Sequence, residues 1–143
     1  MFEYGKMSSC AVASMSALAE AYPQKKPLSS KHIAESRKLS QPLVAKILTI
    51  LAQHKLIDGT RGPGGGYRLI KAPSKITVLD VVSLFENQQG KSICPFGPGW
   101  CGIGDPCPLH DSLIEMSQKT AAALKSMNFA DFVEHTKASH LQP

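Results

Sequence analysis

Nowhere does the chain approach eighteen consecutive apolar residues, the length a helix needs to cross a bilayer. Its most apolar stretch, Cys10 to Ala19, is interrupted by Ser14 and Ser16, and no convincing secretory signal is present. A membrane span is therefore not expected, and the setting is read as cytoplasmic. Residues 62–66 are glycine-rich, but no Gly-Lys-Ser/Thr ending and no following helix accompany them, which argues against a nucleotide-phosphate loop. Nucleophile-base pairs and substrate-pocket signatures are also missing, so an enzyme is not expected. Internal repeats and low-complexity segments are absent. Acids are scarce in one half only: residues 1–71 hold four against eleven Lys/Arg, and residues 72–143 hold seven against five, or +7 and −2 within a net +5. A basic first half is what phosphate neutralisation requires, but a solvated charged surface would look the same.

A motif resolves that ambiguity. At 143 residues the chain suits one domain, or a small domain with an appended arm. Ala11, Met15, Leu18, Ala19 and Tyr22 recur at helical spacing and predict a first helix ending before Pro23. Ser29 or Ser30 caps a short second helix through Ile33 and Ala34, and Ser40 starts a third with Pro42 in its first turn. Leu43, Ile47, Ile50 and Leu51 form its apolar stripe, leaving Gln41, Pro42, Ala45 and Lys46 on another face. The pair reads as a helix-turn-helix with its recognition helix at about 40–54.

Leu56 to Ile70 then reads as two short strands around a glycine-rich tip, a hairpin wing. Its glycines permit positive backbone angles and close approach to a sugar-phosphate backbone, and Arg61 at the base of the tip suits a minor groove or a phosphate. Ser40, Gln41, Pro42 and Lys46 are expected at the major groove of double-stranded DNA, with Arg61, Gly62, Gly64, Gly65 and Tyr67 on the wing side.

In the second half Thr77 caps a helix carrying Val78, Val81, Val82, Leu84 and Phe85, with an end expected near Gln88 or Gln89. From Pro108 a longer helix carries Leu109, Leu113, Met116, Ala123, Leu124 and Met127, and a short helix around Phe129, Phe132 and Val133 closes the fold. A helix that long projects beyond so small a core, and a twofold dimer is the economical way to cover its stripe. The expected fold is mainly α with a small β wing: a winged helix-turn-helix over residues 1–74, then a cluster-binding loop and dimerisation helices over residues 75–143.

Between those helices Cys94, Cys101 and Cys107 fall within fourteen residues, followed by His110. Thiolates with one imidazole suit either a structural zinc or an iron-sulfur cluster. Zinc knuckles usually contain a Cys-x2-4-Cys pair; here six and five residues intervene, a wider reach better matched to several irons. Unligated thiols remain a third reading. Cys107 sits at the expected start of the long helix, where amide hydrogens and the helix dipole favour an anion, and His110 lies three residues on. Trp100 shields a cluster face or anchors the loop, while Asp105 and Asp111 read as turn and helix-start residues.

The segment Arg61-Gly-Pro-Gly-Gly-Gly-Tyr67, after a helix pair and ahead of a three-cysteine loop, resembles the IscR/NsrR family of bacterial winged-helix iron-sulfur regulators, over nearly the whole chain. The resemblance implies a homodimer on roughly palindromic promoter DNA, acting as a repressor whose affinity an iron-sulfur cluster controls. It places Cys94, Cys101, Cys107 and His110 as the metal ligands, with a 2Fe-2S cluster ahead of a 4Fe-4S one. Nitric oxide, oxygen, redox state and iron supply are the signals such a cluster could sense. A zinc-stabilised or cluster-free thiol regulator of the same fold is the alternative. Two departures stand out. Six residues, Pro95 to Trp100, separate the first two cysteines where the family commonly has five, and Ser9 occupies the place of an acidic ligand known in the nitric-oxide sensors. Cys10, beside it, reads as a small helix residue or as an accessory ligand or redox residue for the partner's cluster.

Overall fold

Serine and alanine dominate the first helix, α1 (Lys6–Ala21), and their small side chains let other elements pack close to its axis. Ser8, Cys10, Ala11, Ser14 and Met15 through Ala19 are buried along it. Four further helices touch α1: α2 (Ser30–Arg37), α3 (Gln41–Gln53), α4 (Val78–Phe85) and α6 (Phe129–His140). The remaining elements are the strands β1 (Ile57–Thr60) and β2 (Gly66–Leu69), the helix α5 (His110–Ser126) and two single 3-10 turns, Tyr22–Gln24 and Pro73–Lys75. The molecule is a computed structural model that describes residues 5–86 and 107–140. The mainly helical fold with a two-stranded wing is the one expected from the sequence.

Local chemistry explains most boundaries. α1 ends at Ala21, and Pro23 is absorbed at the start of the following 3-10 turn, where its missing amide hydrogen costs little. The Ser29 hydroxyl accepts from the His32 amide and caps α2. Thr77 and Asp80 exchange side-chain and backbone hydrogen bonds in a capping box at α4. Asn128 and Asp131 repeat that arrangement ahead of α6. Rather than running on, α4 ends at Phe85, because Glu86 turns extended and its carboxylate accepts from the Gly5 amide at 3.0 Å and the Ser8 hydroxyl at 2.7 Å. Gln88 and Gln89, the expected end, lie outside the described residues.

Two sequence patterns are rotated by the packing. On α3 the buried residues are Val44, Ile47, Leu48 and Leu51, while Leu43 and Ile50 are only half-buried at the edges of the face. This helix is wedged between α1 and α2 and needs a wider apolar surface than one narrow stripe. On α5 only Leu124 is buried; Leu113 is half-buried, and Leu109, Met116, Ala123 and Met127 are exposed. The expected stripe is thus divided between the chain's own core and its surface. That helix also begins at His110 rather than Pro108, after a turn through Pro108 and Leu109.

The wing and the returning chain are fastened to this frame. Ile57 to Thr60 pairs antiparallel with Leu69 to Gly66, and Leu28 adds a short third rung through reciprocal hydrogen bonds of 2.8 Å with Tyr67. After α5, the Met127 carbonyl accepts from Val78 and the Ile76 carbonyl accepts from Phe129, which ties the chain back to the head of α4. One continuous apolar cluster runs from Cys10 through Leu48 and Val81 to Phe129. Among the described residues no helix is long and apolar enough to cross a membrane.

Candidate DNA-binding face and thiol site

The buried side of α3 determines what its other side offers. With Val44, Ile47, Leu48 and Leu51 turned into the core, Gln41, Pro42, Ala45, Lys46 and Thr49 are exposed, and Ser40 stands exposed at the N-cap. The Ser40 side chain makes no capping bond, so its hydroxyl is available to an outside acceptor or donor. Thr49, which the sequence pattern did not single out, lies one turn beyond Ala45 and is held by donating to the Ala45 carbonyl at 3.0 Å. Its exposure follows from the rotated stripe, and no local signal marks it.

The wing brings Arg61, Gly62 and Gly64 to an exposed tip. Gly62 and Gly64 hold φ of 97° and 77°, a region that side-chain-bearing residues rarely adopt. Gly65 is required for another reason: a Cβ there would lie 2.4 Å from the Thr60 carbonyl oxygen. Tyr67 differs from the other wing residues, being half-buried, with its backbone bonded to Leu28 and its ring lying over Gly59. Its visible work is to fix the wing against the start of α2.

A polar network sets the orientation of the helix pair. Arg37, at the end of α2, donates to the Ser16 hydroxyl at 3.2 Å and pairs with Glu20 at 2.9 Å, both on α1, and Thr136 of α6 donates to the same Glu20 oxygen at 3.3 Å. The chain closes the turn between α2 and α3 with Lys38 at φ 56°, whose amide donates to the Ala34 and Glu35 carbonyls.

Of the four expected metal ligands, Cys107 and His110 are described, and Cys94 and Cys101 lie outside the described residues, as do Trp100 and Asp105. The structure brings Cys107 and His110 into one turn: the His110 amide donates to the Cys107 carbonyl at 3.0 Å, and both residues are half-buried. Their chemistry, a soft thiol and an imidazole at the head of an exposed helix, suits iron or zinc. No group of three or more potential ligands occurs among the described residues. Cys10 is only 2% exposed, packed in the core, and burial pushes its thiol above the ordinary value; the Ser14 hydroxyl and Lys6 oppose that shift only partly. Although it acts on the thiol, the buried Ser14 hydroxyl has no partner at hydrogen-bonding geometry among the described residues.

A basic winged helix-turn-helix with an exposed recognition face defines a DNA-binding transcriptional regulator. Residues 4–135 match the family model Rrf2, described as an iron-dependent transcriptional regulator, and the chain belongs to that family. It is 28% identical over 109 residues to the HTH-type transcriptional regulator IscR of Klebsiella pneumoniae (strain 342), an alignment covering 76% of this chain and 66% of that protein. Its fold resembles that of IscR from T. potens (TM-score 0.78, 23% identity, covering 99% of this chain and 93% of that one). CymR, the global cysteine regulator of B. subtilis, is similar to the same degree (TM-score 0.78, 23% identity, covering 94% and 98%).

Proposed function

We propose that the chain acts as a homodimeric repressor whose DNA affinity is set by an iron-sulfur cluster held by Cys94, Cys101, Cys107 and His110. In this reading residues 1–74 bind DNA, and residues 75–143 carry the cluster loop and the dimer contact. The single observation that carries it is the juxtaposition of Cys107 and His110 at the head of α5, on which Leu124 alone is buried among the described residues. The family's description as iron-dependent supports the metal and, among the signals considered, iron supply. When bound, an iron-sulfur cluster supplies a redox-active centre whose loss or change can be read by its ligands. A 2Fe-2S cluster remains the preferred form because the Cys-x2-His placement of Cys107 and His110 resembles that of the IscR-type regulators.

What the chain's own residues do follows from their connections. Leu109, just ahead of α5, and Met116 and Ala123 on it recur every seven residues, with Leu113 and Thr120 between them and Met127 following, the period of a helix-helix seam. A second copy packed on that seam fixes the separation of the two recognition helices, which must meet successive major grooves about 34 Å apart. The far end of α5 is tied through Met127 to Val78, α4 packs on α1, and α1 packs on α3. A tilt imposed at His110 is therefore passed through packed elements to Ser40, Gln41, Pro42 and Lys46, while Arg61 and the wing glycines hold the backbone or minor groove.

Anaerobic purification with iron, acid-labile sulfide and zinc measured per chain, alongside the visible spectrum, tests this reading. Iron and sulfide in the wild type, lost in Cys107→Ser and retained in Cys10→Ala, are expected. Colourless protein holding one zinc, or metal-free protein that reconstitution cannot load, would overturn it and leave a zinc-stabilised or thiol-based regulator.

A further inference from the structure

The wing does not stand clear of the helices. Reciprocal hydrogen bonds between Leu28 and Tyr67 clamp it to the segment ahead of α2, so closely that a Cβ on Gly66 would lie 2.6 Å from the Leu28 carbonyl. This clamp leaves a cleft of about 230 Å³ between the wing tip and the start of α2, lined by Lys26, Ser29, His32, Gly64 and Gly65 among others. No carboxylate lines it, and neither Lys26 nor His32 takes part in an ion pair among the described residues. A second cleft on the wing, about 320 Å³, is lined by Lys25 and Arg68 but also by Asp58, so its cations face an acid of their own chain. Of these two clefts, the first has a polar lining that is cationic or neutral throughout among the described residues.

We propose that the Lys26–His32 cleft is a seat for one backbone phosphate of the bound DNA, on the strand beside the groove that the wing tip enters. This deepens, and rests on, the DNA-binding reading above. Lys26 supplies the charge, His32 a ring nitrogen donor, and the glycines at 64 and 65 keep the wall low enough for a sugar-phosphate chain to enter. The Ser29 oxygen already accepts from the His32 amide, so attraction for the anion comes chiefly from the Lys26 and His32 side chains and not from an open helix end. The seat is built before DNA arrives, because the Leu28–Tyr67 clamp sets the wing and α2 at a constant separation. A phosphate held there fixes the register of the wing, which reads no bases through this contact.

Such a contact is independent of sequence, so a mixed-sequence duplex is a sufficient probe. Binding to it is measured by fluorescence anisotropy across a salt series for the wild type, Lys26→Gln, the double variant Lys26→Gln/His32→Gln, and Lys75→Gln as a matched loss of one exposed charge in a turn packed against α6. Each lost phosphate contact flattens the dependence of log affinity on log salt by about 0.9. Lys26→Gln is expected to show that change, the double variant to bind more weakly still, and Lys75→Gln to retain the wild-type slope, all with unchanged thermal midpoints. Wild-type binding with Lys26→Gln indistinguishable from Lys75→Gln would overturn the seat alone. Failure of the wild type to bind any duplex at low salt would overturn the DNA-binding reading, and the seat with it.

Discussion

The helix α5, with seventeen residues against the thirteen of α3, is the longer of the two yet buries far less. α3 spends Val44, Ile47, Leu48 and Leu51 on the core of its own chain and leaves its polar side to solvent. Along its seventeen residues α5 buries only Leu124, while Met116 is 51% exposed and Leu109, at its N-cap, 52%. Isolated exposed apolar side chains are ordinary; in the proposed dimer, Leu109, Met116 and Ala123 at seven-residue spacing would meet a helix of the second copy. Stability of the single chain therefore resides around α1 and α3, and the surface suited to assembly on α5.

Substitutions that strike one helix and spare the other break or sharpen this contrast. The largest effect is expected from Leu48→Ala, which empties a fully buried position between α1 and α3 and should cost about 2–5 kcal/mol, measured by denaturant unfolding. Met116→Glu should leave the unfolding of a monomer nearly unchanged while weakening self-association by about 2 kcal/mol, read by sedimentation over a concentration series. If Met116→Glu unfolds the chain, or leaves association intact, the division of labour between the helices is wrong.

Smaller effects probe the frame that joins them. Lys38 occupies a left-handed position where glycine has no steric penalty, so Lys38→Gly should stabilise the fold by about 0.5–1 kcal/mol in thermal unfolding. The smallest is a pH effect at Cys10. Burial raises its thiol above the ordinary value of 9.0, so the folded chain keeps a proton that the unfolded chain loses. The unfolded state then binds fewer protons, and stability falls as pH rises above about 9. Cys10→Ala should remove that part of the alkaline decline, seen by comparing thermal midpoints at neutral and alkaline pH.

Features governed by neighbours in the chain were legible beforehand. Ser29, Thr77 and Pro42 mark helix starts because capping and a missing amide hydrogen act within one turn. The wing was legible in the glycine run, where Gly62 and Gly64 hold positive φ angles that side-chain-bearing residues rarely adopt and the Thr60 carbonyl leaves no room for a Cβ at Gly65. Exposure of Gln41, Pro42, Ala45 and Lys46 followed from helical periodicity; of the expected stripe Ile47 and Leu51 are buried, while Leu43 and Ile50 are only half-buried and Val44 and Leu48 complete the buried face.

Contacts between distant residues were not legible. Nothing near Glu86 announces that its carboxylate ends α4 by reaching Gly5 and Ser8, and nothing near Tyr67 announces its bond to Leu28. Likewise periodicity identified α5 as amphipathic but could not divide its apolar residues between core and surface, since that depends on where α4 and α6 lie. The helix-turn-helix, the wing and the spacing of Cys94, Cys101, Cys107 and His110 can be read along the chain, because each follows from local backbone preference or from the order of residues. The sealing of Cys10 in the core, the exposure of apolar residues on α5 among the described residues, and the meeting of Lys26 and His32 with the wing tip across one cleft all arise on folding, because burial and proximity depend on packing between segments far apart in the chain.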